Sequence, residues 1–195
     1  MDAAVVSIAI IAIVLVVIIA LVVFLISAYN RLVSKRNSVE EGWKQIHVQE
    51  QERLDSISQL VNTVKGYAEH EKGIFDKFAE ARGAFNDALN EGSANKLADS
   101  HTSMDQAMLN IRAVGEAYPE LKADANFRDL QEQVTSVERK IASARRYYNS
   151  SVREFNESRQ VFPTNLVAGV LGFREDKEYF EIDEKAARER PNISF

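Results

Sequence analysis

Histidine and cysteine side chains are the groups with which proteins most often bind transition metals or form covalent intermediates. This chain has three histidines, His47, His70 and His101, and no cysteine. His70 is followed by Glu71, but the sequence continues as HEKGIFD and lacks the second histidine that a zinc protease helix places four residues later. The histidines stand apart along the chain, so the sequence predicts no metal site and no thiol nucleophile.

Glu50 and Arg53 are the other residues whose spacing has a chemical interpretation. They are three residues apart, so their side chains face one another on a helix, and they interrupt a seam of apolar residues. A solvated ion pair where the seam opens is the simpler interpretation, and a functional site is the alternative. An enzyme would have to assemble its site from scattered groups of this kind, with Tyr67 and His70 as further candidates.

The sequence motifs of common enzyme classes are missing from the chain. It contains no P-loop, no G-x-G-x-x-G and no G-x-S-x-G. Adjacent carboxylates such as Glu40 and Glu41 point in different directions on a helix, whereas a catalytic pair has to converge. We therefore predict a protein that is not an enzyme, with no catalytic, cofactor-binding or metal-binding residue and no cofactor.

The N-terminal residues 1–28 are predicted to be a transmembrane anchor. From Ala3 to Ala28 there is no charged residue, and a helix of this length is about 39 Å long, which exceeds a hydrocarbon core of about 30 Å. A cleaved signal peptide would have an apolar region of about 7 to 15 residues after a positively charged start. Here the run is longer and follows Asp2, which favours an uncleaved helix.

The charges beside the anchor predict its orientation. Arg31, Lys35 and Arg36 follow the span closely, and no Lys or Arg precedes it. By the positive-inside rule, the N-terminus lies outside and the C-terminal domain is cytoplasmic. The part after residue 28 holds all 24 basic residues and 28 of the 29 acidic residues. This mixed surface argues against nucleic acid as a partner.

Helical periodicity dominates the remaining chain. No stretch alternates as a strand does, so we predict an all-α fold. Residues 29–173 are predicted to form a cytoplasmic antiparallel up-down four-helix bundle with long coiled-coil-like helices, the first continuing from the anchor. The predicted helices, including a short apolar one at the end, cover about 29–66, 70–89, 95–117, 126–161 and 165–171. Residues 174–195 are predicted to be a charged C-terminal tail.

The fourth long helix has the clearest pattern, since large apolar residues recur every seven positions as in a coiled coil. These residues are Phe127, Val134, Ile141, Tyr148, Phe155 and Phe162. The chain between the third and fourth long helices, YPELKADAN, is predicted to be a break because Pro119 disfavours helical conformation in the residue before it.

The stretch FPTNLVAGVLGF, from Phe162 to Phe173, is the main candidate interface. Twelve residues are too few to span a membrane. Pro163 ends the long helix, Thr164 or Asn165 can cap a short one, and Gly172 can close it. The stretch either closes the end of the bundle, contacts another copy of the chain, or touches the membrane surface. The candidate assembly residues are Phe162, Pro163, Leu166, Val167, Val170, Leu171 and Phe173.

Several long motifs resemble the bacterial LemA family. They are YNRLVSKRNSVEEGWKQIHVQ from Tyr29, LVNTVKGYAEHE from Leu60, YPELKADANFRDLQEQVTSVERKIASARRYYNSSVREFN from Tyr118, and FPTNLVAGVLGF. The resemblance implies a single N-terminal anchor with a short outside tail in the bacterial inner membrane, and a cytoplasmic domain of antiparallel helices. It implies no biochemical activity. The chain departs from the family at Ser58, where many members have proline, at His47, and in the acidic run QEQER.

These observations predict a membrane-anchored, non-enzymatic scaffold. Its expected partners are the lipid bilayer and other copies of itself, in an assembly as large as a ring or cage, or a protein partner that the sequence does not identify. The alternative function is a signal transducer that relays a change at the membrane through helix movement.

Overall fold

A computed structural model describes residues 3–68, 70–92 and 94–180 of the chain. All regular structure in these residues is helical, as the periodicity predicted, and the described part contains no strand. The helices are α1 (Ala3–Lys65), α2 (Lys72–Glu91), α3 (Ala94–Ala117), α4 (Pro119–Ala123), α5 (Ala125–Gln160) and α6 (Asn165–Ala168).

The long apolar N-terminal helix is confirmed, and it does not end with the apolar run. α1 contains 63 residues without a break, because no proline occurs before Pro119 and no pair of glycines interrupts it. In its first part the apolar side chains are exposed, and the helix is long and apolar enough to cross a membrane. Beyond residue 28 one face becomes buried, with Leu32, Ile46, Leu60 and Val64 all fully inaccessible to solvent.

The described residues form two compact units, and α1 and α5 contribute to both. The first unit combines α1 up to Glu41 with Ser150–Lys177. The second combines Gly42–Asn149 with the chain that begins at Glu178. In the second unit, α2 and α3 are consecutive helices that pack on each other. Their buried faces include Phe78 and Phe85 from α2 and Met104 and Ile111 from α3.

A short helix lies where the sequence predicted only a break. In YPELKADAN, Tyr118 is extended and Pro119 occupies the first turn of α4, where its missing N–H costs nothing. Asp124 then caps α5, since its Oδ1 accepts a hydrogen bond of 2.9 Å from the Phe127 N–H. This bond is the main reason that the pKa of Asp124 lies below its ordinary value. The proline therefore ends α3 and starts α4.

α5 and α1 run in opposite directions within the second unit. Lys140 of α5 pairs with Glu52 of α1 at 2.9 Å. Farther along α5, Tyr148 packs on Trp43, which comes earlier in α1, with ring centroids 5.7 Å apart. The two helices come very close at Gly42, because a Cβ placed there would lie 3.0 Å from the Tyr148 Cα. A larger residue at position 42 would push the two backbones apart.

The seven-residue pattern of α5 lies in the core for most of its length. Phe127, Val134, Ile141, Tyr148 and Phe155 are all buried. Phe162, the sixth member, is 78% exposed. It lies beyond the end of α5, and Pro163 prevents the helix from carrying the repeat further.

α6 ends at Ala168, earlier than the predicted helix 165–171, although a further helical hydrogen bond joins the Leu171 N–H to the Val167 carbonyl at 2.9 Å. Gly172 has a φ of 90°, a left-handed conformation that favours glycine. The Phe173 N–H then donates to the Ala168 carbonyl at 2.9 Å and the Gly172 N–H to the Gly169 carbonyl at 3.4 Å, which is the Schellman arrangement. The turn directs the Phe173 side chain into the core, where it is 5% exposed.

Candidate functional site

Four ionisable side chains from three helices meet inside the second unit. We call Glu50, Arg53, His101 and Arg145 the charge cluster. The prediction that Glu50 and Arg53 form a solvated pair is wrong, since they are 0% and 3% exposed. The prediction that His101 is isolated is also wrong, because α3 places it between the α1 and α5 members of the cluster.

The contacts with Arg53 and Glu50 are those of a neutral His101 that carries its proton on Nε2. Arg53 Nη1 donates to His101 Nδ1 at 2.8 Å, so this ring nitrogen is an acceptor and the imidazole is neutral. The other ring nitrogen, Nε2, then carries the proton and donates to Glu50 Oε1 at 2.7 Å. Arg145 Nη2 donates to the same carboxylate oxygen at 2.9 Å and also contacts the imidazole at Nε2.

The pKa directions agree with this arrangement. Burial lowers the pKa of His101, and the positive charges of Arg145 and Arg53 act in the same direction, whereas Glu50 opposes them. Burial raises the pKa of Glu50, but the hydrogen bonds from His101 and Arg145 and the positive charge of Arg145 together lower it below its ordinary value. Glu50 is therefore ionised and His101 neutral at physiological pH.

Aromatic rings and further charges surround the cluster. The Phe85 ring meets the His101 ring edge-on at 5.4 Å, and the Arg145 guanidinium lies 4.5 Å from the centre of the Phe180 ring. On the outer side, Arg53 forms an ion pair with Asp105 beside an open groove of about 330 Å³. Each member of the cluster binds another member, an arrangement that fixes α1, α3 and α5 against one another.

The other residues considered for an enzyme site do not join the cluster. Tyr67 donates to Asp124 Oδ2 at 3.0 Å, and this hydrogen bond is the main reason its pKa is raised. His70 is exposed on the loop before α2. Among the described residues, no group of three or more His, Asp or Glu side chains is placed to hold a metal ion.

One signal in the sequence could have identified His101. On α3 the spacing of Leu97, His101, Met104 and Met108 follows the alternating four- and three-residue steps of a single helix face. The other three residues on this stripe are buried and apolar. A buried histidine among them requires a polar partner from another helix. Glu50 interrupts the apolar seam of α1 and, if buried, also requires a polar partner from another helix.

The candidate interface residues divide into two groups in the first unit. Phe173 is buried, with its ring centroid 6.0 Å from that of Tyr29 and 6.2 Å from that of Phe155. Val167 and Leu171 are half-buried, and Pro163 is exposed. The large apolar side chains of Phe162, Leu166 and Val170 are 78%, 68% and 88% exposed. We call these last three residues the α6 patch.

The chain after α6 makes specific contacts that the sequence did not predict. In the first unit, the side-chain amide of Asn156 binds both the N–H and the carbonyl of Lys177, at 2.9 and 3.0 Å. In the second unit, Asn149 binds the N–H and carbonyl of Phe180 in the same manner, at 2.8 and 3.1 Å. Residues 174–180, assigned from the sequence to a charged tail, are thus hydrogen-bonded to α5. Residues 181–195 lie outside the described part.

Comparison with known proteins gives a family and three relatives. The model of the LemA family matches residues 42–195. Magnetosome protein MamQ of Magnetospirillum gryphiswaldense is 23% identical over 193 residues, which cover 87% of this chain and 70% of the relative. Magnetosome proteins MamQ 1 and MamQ 2 of Paramagnetospirillum magneticum have the same identity and coverage.

Proposed function

This chain belongs to the LemA family, as its motifs indicated, and we propose that it is a non-enzymatic scaffold anchored in the bacterial inner membrane. The family and the apolar helix together indicate a membrane-associated protein. In the proposal, the N-terminus lies outside, the domain after residue 28 is cytoplasmic, and the protein acts by assembling with copies of itself or by docking a protein partner.

The continuity of α1 is the observation that carries this proposal. The apolar run and the buried seam that ends with Val64 are parts of one helix, with no linker between them. A scaffold gains from such continuity, since each copy then has a defined direction relative to the bilayer.

The cytoplasmic domain in this proposal is an antiparallel four-helix bundle of α1, α2, α3 and α5. Two observations support it: α1 and α5 run in opposite directions in the second unit, and α2 and α3 form a packed pair. The charge cluster fits a structural role because each of its members is hydrogen-bonded to another across α1, α3 and α5.

The assembly is tested by measuring the mass of the full-length protein extracted in lipid nanodiscs by a styrene–maleic acid polymer. Mass photometry is expected to show particles that contain several copies, with the same number of copies at different expression levels. A single copy per particle at all expression levels would rule out homo-oligomeric assembly. The control is a monomeric single-span protein of similar size extracted in the same way.

The alternative function, a signal transducer, also has an observation in its favour. α1 carries Glu50 and Arg53 directly into the charge cluster, so a rotation of this helix would move both side chains. Because the chain has no cysteine, the pair Glu52→Cys and Lys140→Cys can report the contact between α1 and α5. A crosslinking rate in cells that stays constant when the membrane potential or the osmolarity changes would argue against a transducer.

A further inference from the structure

The end of α5 lies level with the end of the apolar run of α1. In the first unit, Lys35 of α1 pairs with Glu154 of α5 at 2.5 Å. The two helices have the same rise per residue and opposite directions. Tyr29, the first residue after the apolar run, comes six residues before Lys35. Gln160, the last residue of α5, comes six residues after Glu154, so it lies at the same level as Tyr29. The chain that follows α5 therefore begins at the level of the last apolar turn.

The packing around Phe173 gives the same placement independently. Besides contacting the Tyr29 ring, Phe173 lies under the Arg36 guanidinium, 5.6 Å from the ring centre. Ala28 is buried and Phe24 and Leu25 are half-buried, whereas Ile26 is 55% exposed. One face of the final turn of the apolar run is thus covered, on the side where the chain after α5 packs.

The α6 patch is exposed apolar surface beside this packing. Thr164, Ala168 and Phe173 are buried, while Phe162, Leu166 and Val170 are at least two-thirds exposed. Three large apolar side chains exposed within nine residues, at spacings of four, are unusual on a surface that faces water. Such a group is typical of a contact with a partner or a membrane.

We propose that the α6 patch inserts into the cytoplasmic leaflet of the bilayer, at the boundary between headgroups and acyl chains. This proposal rests on the membrane placement of α1 in the proposed function. An apolar run of about 39 Å is longer than a hydrocarbon core of about 30 Å, so its last turns reach this boundary. Apolar side chains of interfacial segments enter it to a depth of about 5–10 Å.

The depth of the patch favours lipid as its occupant, because the chain after α5 lies at the level of the last apolar turn of α1. Arg31, Lys35 and Arg36 follow the apolar run within the first two or three turns, at the depth where anionic headgroups lie. Lys35 is paired there with Glu154 and Arg36 with Glu40. A second membrane contact beside the span also has a consequence, since it fixes the tilt of α1 and its rotation about its own axis.

Single nitroxide labels on the full-length chain in nanodiscs that contain phosphatidylglycerol test this inference. The chain has no cysteine, so Leu166→Cys and Val170→Cys each introduce one labelling site at an exposed position. Ile18→Cys, in the middle of the apolar run, is the lipid reference. Arg139→Cys, at an exposed position of α5 fifteen residues before Glu154, is the water reference.

Collision with oxygen and with a water-soluble nickel chelate separates the outcomes. We expect labels at positions 166 and 170 to collide with oxygen more often than the label at 139, though less often than the label at 18, and with nickel several-fold less often than the label at 139. Nickel collision equal to that at 139 would place the patch in water and overturn the inference. Protection from both reagents, with dipolar broadening between copies, would assign the patch to a second copy and overturn it as well. A label at 18 that collides freely with nickel would instead refute the membrane placement itself.

Discussion

The charge cluster and the α6 patch reverse the usual distribution of residue types. In the second unit, the Glu50 carboxylate and the Arg53 guanidinium are buried among apolar helices. In the first unit, Phe162, Leu166 and Val170 are exposed. The buried charges are stable because each has a hydrogen-bonded partner. The exposed apolar side chains make no comparable internal contact, so they point to something outside the chain.

This difference separates a feature that maintains the fold from one that serves an interaction. Removing one member of a buried ionic network leaves its partners charged and desolvated, which is costly. Removing an exposed apolar side chain costs the fold little. Stability measurements on matched variants therefore discriminate between the two roles.

The largest effect is expected for Glu50→Ala. The substitution leaves Arg145 and His101 without their shared acceptor in a buried site, and we expect a loss of about 3–5 kcal/mol in the free energy of unfolding. Chemical denaturation of the detergent-solubilised protein, followed by circular dichroism, measures it. The matched control is Glu52→Ala, which removes a partly exposed partner of Lys140 and should cost less than about 1 kcal/mol. Equal losses for the two variants would contradict a special role of the cluster.

A smaller effect is expected when the same substitution is made at the two ends of FPTNLVAGVLGF. Phe173→Ala removes a buried ring that packs on Tyr29 and Phe155, and it should cost about 3 kcal/mol. Phe162→Ala removes an exposed ring and should change the free energy of unfolding by less than about 0.5 kcal/mol. If Phe162→Ala were as costly as Phe173→Ala, the α6 patch would belong to the core of the protein.

The loss in the free energy of unfolding that acid causes through the charge cluster is expected to be smaller than the losses for Glu50→Ala and Phe173→Ala. Because the folded-state pKa of His101 lies below its ordinary value of 6.5, the unfolded chain binds the proton more readily. The stabilisation is therefore complete above pH 6.5 and decreases as the pH falls below it, by at most about 1.4 kcal/mol per pH unit for one proton. Glu50, whose pKa is also lowered, responds only below its ordinary value of 4.5. The interval between pH 6.5 and 5 thus reports on His101.

A glutamine at position 101 isolates this contribution. In His101→Gln, the side-chain amide can donate to Glu50 and its oxygen can accept from Arg53, so both hydrogen bonds of the neutral imidazole have a replacement without a titrating group. Denaturant titrations at several pH values should show a reduced slope between pH 6.5 and 5. His70→Gln, at an exposed histidine, is the control and should keep the slope of the wild type. An unchanged slope in His101→Gln would show that another group titrates in this interval.

The sequence predicts some of these features well, for physical reasons. The spacing of apolar residues identifies helices because a helix that buries one face needs apolar residues at regular intervals. In α5 the residues with this spacing lie in the core, as predicted: Phe127, Val134, Ile141, Tyr148 and Phe155. Pro163 predicts the end of α5 because its ring blocks helical hydrogen bonding. α4 was missed because a five-residue helix is too short to produce a periodic signal.

The charge cluster could not be predicted from local patterns. Its residues come from α1, α3 and α5, and Glu50 is separated from Arg145 by 95 positions in the chain. Glu50 and Arg53 are three residues apart, so an ion pair within α1 accounts for both charged residues. The sequence therefore gives no sign of a partner on another helix. The contacts of Asn149 and Asn156 were missed for a related reason, since an asparagine amide on a helix surface pairs with whatever backbone the fold places against it.

The smallest effect on the fold is expected at the centre of the α6 patch. Val170 is 88% exposed, so Val170→Asn should alter the free energy of unfolding in detergent by less than about 0.5 kcal/mol. Ala168, two residues earlier, is 3% exposed, and Ala168→Asn has to bury an amide without a prepared partner, which costs about 1–3 kcal/mol or more. A loss at position 170 as large as that at position 168 would mean that this chain itself covers the patch. With only position 168 sensitive, the fold does not account for the apolar residues of the patch, and their role lies in a contact outside this chain.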